Sequence, residues 1–124
     1  MRSYKRSQRV ADQMKRDVSS VISEVLPDRP DLIVTVSAVE VTDDLRYAKI
    51  YYTVLGDQTK IDEVARIFER ATGHIQAELA HRMRLRRMPE ISLLYDESLI
   101  EGMRVVSLID ELSDKADKKD EQED

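Results

Sequence analysis

The sequence predicts an α+β fold in which a three-stranded sheet carries helices on one face and a short helix closes the chain. Three observations predict it. Apolar residues recur at three- and four-residue steps over two long stretches, about residues 4–26 and 60–87, which marks amphipathic helices. Between them lies a valine- and threonine-rich region that reads as two strands joined by a tight turn. A further alternating run follows Pro89. One hairpin plus one later strand packs most economically as a single sheet with the helices laid over one face. The chain has 124 residues, 41% of them apolar, which makes one domain large enough to bury its own core.

In the first helix Ala11, Met14, Val18, Val21, Ile22 and Val25 share one side, and Arg2, Lys5, Arg9 and Arg16 lie nearly opposite. Pro27-Asp28-Arg29-Pro30-Asp31 then forbids helix continuation and makes a turn. Over Leu32–Thr42 the alternation changes phase between Val34/Val36 and Val39/Val41, so the strand either carries a bulge near Ser37-Ala38 or is buried on both faces. Asp43-Asp44 is the tight connection. Arg46–Leu55 alternates cleanly, with Ala48, Ile50, Tyr52 and Val54 on one face and Tyr47, Lys49, Tyr51 and Thr53 on the other.

Asp57 or Thr59 can cap the next helix. Its stripe runs through Ile61, Val64, Ala65, Phe68, Ala71, Ile75, Leu79 and Met83. An unbroken helix from Lys60 to Arg87 would be roughly 40 Å long, against a diameter on the order of 35 Å for a globule of this size. The weak point is Ala71-Thr72-Gly73, where a β-branched residue precedes a glycine, and a kink is expected there. Pro89 ends the helix, and Ile91, Leu93 and Tyr95 form the third strand. Asp96–Ser98 caps a last short helix in which Leu99, Met103, Val106 and Ile109 recur. Residues 1–112 thus form the folded domain, and residues 113–124 an acidic tail with the composition of a disordered segment.

The formal charge of −5 conceals a clustered distribution. Asp110–Asp124 holds eight acids against three lysines, which leaves 17 basic and 17 acidic side chains over residues 1–109. Met1–Arg16 has six basic residues and one acid, and Arg66–Met88 has six arginines and two acids. Positive charge therefore gathers at the first helix and at the end of the second. Catalytic chemistry finds little purchase. There is no cysteine, no phosphate-binding glycine loop and no HExxH pattern, and His74 and His81 stand about 10 Å apart along one helix. Neither an enzyme nor a metal or cofactor site is expected. The basic N-terminus is followed by a charged amphipathic stretch, so the expected setting is the cytosol, without membrane anchoring.

Arg82, Arg84, Arg86 and Arg87 exceed what a helix C-terminal dipole calls for. Guanidinium groups pair bidentately with phosphates, and Lys5, Arg6, Arg9 and Arg16 offer a second set, so a nucleic-acid backbone is the expected partner. Tyr47 or Tyr51 has two readings, cross-strand packing and base stacking. An adaptor whose arginines match an acidic protein surface is the competing functional reading.

The element order is similar to that of a type II KH domain, an RNA-binding fold with a GxxG loop between paired helices. Here Arg70-Ala71-Thr72-Gly73-His74 stands instead, with alanine at the first glycine position. In this helix–kink–helix the chain resembles the ribosome-binding factor A family. The resemblance extends to Glu24-Val25-Leu26, to Val39-Glu40-Val41-Thr42-Asp43-Asp44-Leu45, to Ala48-Lys49-Ile50-Tyr51, to Leu85-Arg86-Arg87-Met88-Pro89-Glu90-Ile91 and to Tyr95-Asp96-Glu97-Ser98. It implies a bacterial cytoplasmic factor, monomeric, that binds the free small ribosomal subunit late in assembly. It further implies a part in 5′-end processing of 16S rRNA, growth in the cold, and release by an assembly GTPase.

Overall fold

The computed structural model describes residues 5–26 and 28–98. The element order is α1 (Arg6–Val25), β1 (Ile33–Val41), β2 (Tyr47–Leu55), α2 (Gln58–Met83) and β3 (Glu90–Tyr95). The sheet order is β1-β2-β3, with β1 antiparallel and β3 parallel to the central β2. The expected terminal helix from Leu99 and the tail of residues 113–124 lie outside the described residues.

The helices form because their apolar stripes have one place to go. Met14, Val18 and Val21 of α1 and Val64, Ile75 and Leu79 of α2 are fully buried, and they meet Ala48, Ile50, Tyr52 and Val54 from β2 in one core. Tyr52 packs edge-on against Phe68, with ring centroids 4.8 Å apart, and against Tyr95 at 5.9 Å. Burial of the Tyr52 ring pushes its hydroxyl pKa up.

The change of phase in β1 is a bulge. Pairing slips between Val36 and Ala38, leaving Ser37 as the extra residue. Val34 and Val36 therefore stand opposite Val54 and Tyr52, and Val39 and Val41 opposite Ile50 and Ala48, all on the core side. The turn between the strands is held by Thr42, whose hydroxyl donates to Asp44 Oδ1 at 2.6 Å, and by Leu45 in the left-handed region at φ 61°. Asp57 caps α2, its carboxylate accepting from the Lys60 N–H at 3.2 Å.

The expected kink site lies inside one continuous helix. Helical backbone runs through Ala71-Thr72-Gly73, and α2 is one helix of 26 residues. The glycine's cost of about 1 kcal/mol is small beside the burial of Val64, Phe68, Ile75, Leu79 and Met83 on either side of it. What the motif does carry is a hydrogen bond from the Thr72 hydroxyl to the Phe68 carbonyl at 2.6 Å, a contact of the kind that bends a helix without interrupting it. Gly73 is exposed, is not among the residues with positive φ, and a Cβ built on it meets nothing within 4 Å. Gly73→Ala should accordingly raise stability by about 1 kcal/mol, read as a thermal midpoint roughly 4 °C higher. A lower midpoint would show that the backbone here needs glycine.

Candidate nucleic-acid interface

The loop after α2 is where charge and backbone geometry coincide. Met83 is buried at the end of the helix stripe, and Arg84 caps the helix in the left-handed region, at φ 51° and ψ 39°, with its N–H donating to the Ala80 carbonyl at 3.2 Å. Glycine usually takes this position because it has no Cβ to clash. An arginine there costs on the order of 1 kcal/mol. Leu85 and Met88 then turn inward onto the core and Pro89 is fully buried, so Arg84, Arg86 and Arg87 are left exposed.

Gln76 ties this loop to the helix. Its side-chain amide donates to the Pro89 carbonyl at 2.7 Å, and its amide oxygen accepts from the Ile91 N–H at 2.8 Å. One glutamine thus holds both the exit of the arginine loop and the entry of β3. Removing both bonds strands two backbone groups that are only part-buried. Gln76→Ala should therefore cost about 1–3 kcal/mol and accelerate amide exchange at Ile91, whereas unchanged exchange would mean the clamp is dispensable.

The predicted cations divide into two kinds. Arg82 is already partnered: its guanidinium donates to Glu24 of α1 at 2.5 Å, joining the ends of the two helices. Lys5 lies 3.7 Å from Asp43 in a pair whose members are both highly exposed, a contact worth little. Arg6, Arg9, Arg16, Arg84, Arg86 and Arg87 are exposed and make no ion pair among the described residues. These cations do not form one patch. Lys5 sits beside the β1–β2 turn and Arg82 beside Glu24, and the helix between positions 6 and 24 rises roughly 27 Å. Arg16 stands midway. A ligand touching both sets would have to be extended, as a nucleic-acid backbone is.

Other charged groups are structural. Arg29 bridges Asp31, at 3.0 Å, and Glu63 of α2, and it holds both carboxyls below their usual range. Ser7, the buried polar side chain of α1, donates its hydroxyl to Asp43 Oδ1 at 3.2 Å and docks the helix start on the hairpin turn. Among the described residues no group of three or more His, Asp or Glu side chains could hold a metal ion, and no helix is long and apolar enough to cross a membrane. Tyr47 is about half exposed on the sheet face away from the helices, and Tyr51 is half-buried beside it, opposite Ala38 and Leu94.

Sequence reasoning missed Gln76, Ser7 and the engagement of Arg82. Each partner lies far off in sequence or is a backbone group, and no local pattern marks such pairs. The left-handed Arg84 was equally invisible, because composition alone would put glycine at a helix end.

Residues 6–109 match the family described as Ribosome-binding factor A. Ribosome-binding factor A of Chromohalobacter salexigens is 43% identical over 113 residues, which are 90% of this chain and 86% of that protein. The crystal structure of ribosome-binding factor A from Thermus thermophilus superposes with a TM-score of 0.61 at 26% identity, covering 72% of this chain and 94% of that one. A homology model of Thermus thermophilus ribosome binding factor A, fitted into a cryo-electron microscopy map of a 30S complex, superposes with a TM-score of 0.56 at 27% identity, covering 70% of this chain and 91% of that one. With the family match spanning nearly all of the described fold, this chain belongs to the ribosome-binding factor A family.

Proposed function

We propose that this chain binds the free small (30S) ribosomal subunit late in its assembly and assists maturation of the 5′ end of 16S rRNA, including at low temperature. The observation that carries the reading is the loop held by Gln76, which presents Arg84, Arg86 and Arg87 without ion-pair partners among the described residues, one of them at a backbone position where arginine is costly. Such a cost is expected to persist where the side chain has a use. The family and the 30S complex of a relative supply the partner.

In this reading Arg84, Arg86 and Arg87 grip phosphates, and Lys5, Arg6, Arg9 and Arg16 extend the contact along α1. Arg82 joins them only by exchanging Glu24 for a phosphate. The open space over Gly73 lets a partner's backbone approach α2 at Ala71-Thr72-Gly73. The factor acts as a cytoplasmic monomer and leaves the subunit with the help of an assembly GTPase. Clustered guanidiniums without a GxxG clamp read backbone and shape instead of a short linear sequence.

The test is co-sedimentation of the purified chain with separated small subunits, large subunits and joined ribosomes at two salt concentrations. Salt-sensitive binding to free small subunits alone is the expected result. Binding to none of the particles would overturn the reading, and a complex that survives ribonuclease would favour a protein adaptor.

A further inference from the structure

We propose that Glu24 is an internal competitor for the phosphate that Arg82 would take. Its carboxylate holds that guanidinium in reserve and gives it up when a nucleic-acid phosphate is set between the C-terminal ends of α1 and α2. The inference rests on the reading above, in which the arginine loop meets phosphates, and it adds a residue of opposite charge that limits how tightly the loop binds.

Arg29 and Arg82 are both held by carboxylates, in different ways. Arg29 is gripped by a fork: its Nε donates to Asp31 Oδ1 at 3.1 Å and its Nη2 to Asp31 Oδ2 at 3.0 Å, while Glu63 engages the same guanidinium from α2. Arg82 is held by a single tooth, from Nη2 to Glu24 Oε1 at 2.5 Å. A phosphate accepts two parallel N–H bonds from a guanidinium, so it competes well with one carboxylate oxygen and poorly with a complete fork. The Arg82–Glu24 pair is also open to solvent, with 31% of the arginine side chain and 55% of the glutamate side chain exposed. A ligand therefore reaches it without unpacking the core, and separating it strands no buried charge.

Glu24 stands where helix electrostatics disfavours a carboxylate. It lies in the last turn of α1, which holds no basic residue, and a helix C-terminus carries partial negative charge. Arg82, 58 positions away in sequence, supplies the compensation. Arg82 is itself two residues before Arg84, in the last turn of α2, so a phosphate engaged by Arg84 comes within about one helical turn of the pair. A phosphate that stops there meets the Glu24 carboxylate, and one that displaces it gains Arg82. The contact thus subtracts from loose electrostatic attraction and favours a ligand whose backbone passes between the helix ends.

A double-mutant cycle on the full chain tests this, read as affinity for free small subunits and, separately, for polyuridylate near 0.1 M salt. With Arg82 in place, Glu24→Gln should tighten binding about fivefold; with Arg82→Gln also present it should do so less than about twofold, because the gain comes from releasing Arg82. Asp17→Asn makes the same charge change seven residues earlier on the same side of α1, and should tighten binding less than about twofold in either background. Equal gains from Glu24→Gln in both backgrounds would overturn the proposal, since Glu24 would then act by its charge alone. Weaker binding by Glu24→Gln would also overturn it, and would make Glu24 a positioning residue for Arg82. If the expected cycle appears on polyuridylate while no variant binds small subunits, the role of Glu24 stands and the proposed function fails. Binding to small subunits without the cycle overturns the role of Glu24 and leaves the proposed function standing.

Discussion

Reversing Arg84 and Arg87 to glutamate should weaken small-subunit binding on the order of a hundredfold near 0.1 M salt. Charge-assisted contacts are worth about 1.5–3 kcal/mol each, and partial solvent exposure takes the lower end of that range. The more specific signature is the salt dependence. A binder that loses two phosphate contacts should show a slope of log affinity against log salt flatter by roughly 1.5–2. An unaltered slope would mean that these guanidiniums do not meet phosphates, whatever happens to the affinity. The variant is a clean one, because neither side chain has an intramolecular partner among the described residues and glutamate tolerates the left-handed position of Arg84 no worse than arginine does. Its thermal midpoint should stay within about 2 °C of the parent, consistent with a surface change below ~0.5 kcal/mol.

Phe68→Ala should do the opposite, weakening the fold while leaving every predicted contact residue in place. Phe68 is 2% exposed, sits at the middle of α2 and meets Tyr52 of the central strand edge-on. Truncating such a ring costs about 3–5 kcal/mol in transfer and cavity energy, with the lost aromatic geometry included in the upper part of that range. Against a domain stability of about 5–15 kcal/mol this is a large fraction, and the thermal midpoint should fall by roughly 15 °C. Denaturant unfolding followed by circular dichroism reads the change. A loss under ~1 kcal/mol would show that the core around Tyr52 repacks, and that α2 is held chiefly by its ends.

Much of this fold was legible because its periodicities are long and clean. The stripe from Ala11 to Val25 could bury only one side of α1, and the four alternating residues Ala48, Ile50, Tyr52 and Val54 could belong only to a strand with one core face. The phase slip in β1 left a bulge and burial on both faces as its two readings, and the strand pairing decides for the bulge, with Ser37 as the extra residue. That helical backbone continues through Gly73 was not legible in local propensity, because the buried contacts flanking the glycine are what keep α2 continuous. Nothing local could show that β3 runs parallel to β2, since that pairing joins Tyr47 to Glu90 across the whole of α2.

The candidate interface was legible as composition and not as geometry. Clustered arginines in the sequence made a polyanion the expected partner, but their division of labour depends on contacts between distant positions. Glu24 takes Arg82, and Gln76 fixes Pro89 and Ile91 so that the arginines between are held out to solvent. Lys5 and Arg82 stand near opposite ends of α1, so charge counting overstated how compact the patch is.

Directed hydroxyl-radical probing from the arginine loop tests the central claim most directly. An iron chelate attached through Arg86→Cys on the otherwise cysteine-free chain, bound to free small subunits through its remaining cations, should cut 16S rRNA at a discrete set of neighbouring backbone positions. A complex that co-sediments fully but yields no rRNA cleavage from position 86 would contradict the account, because the loop would then face protein or solvent instead of RNA.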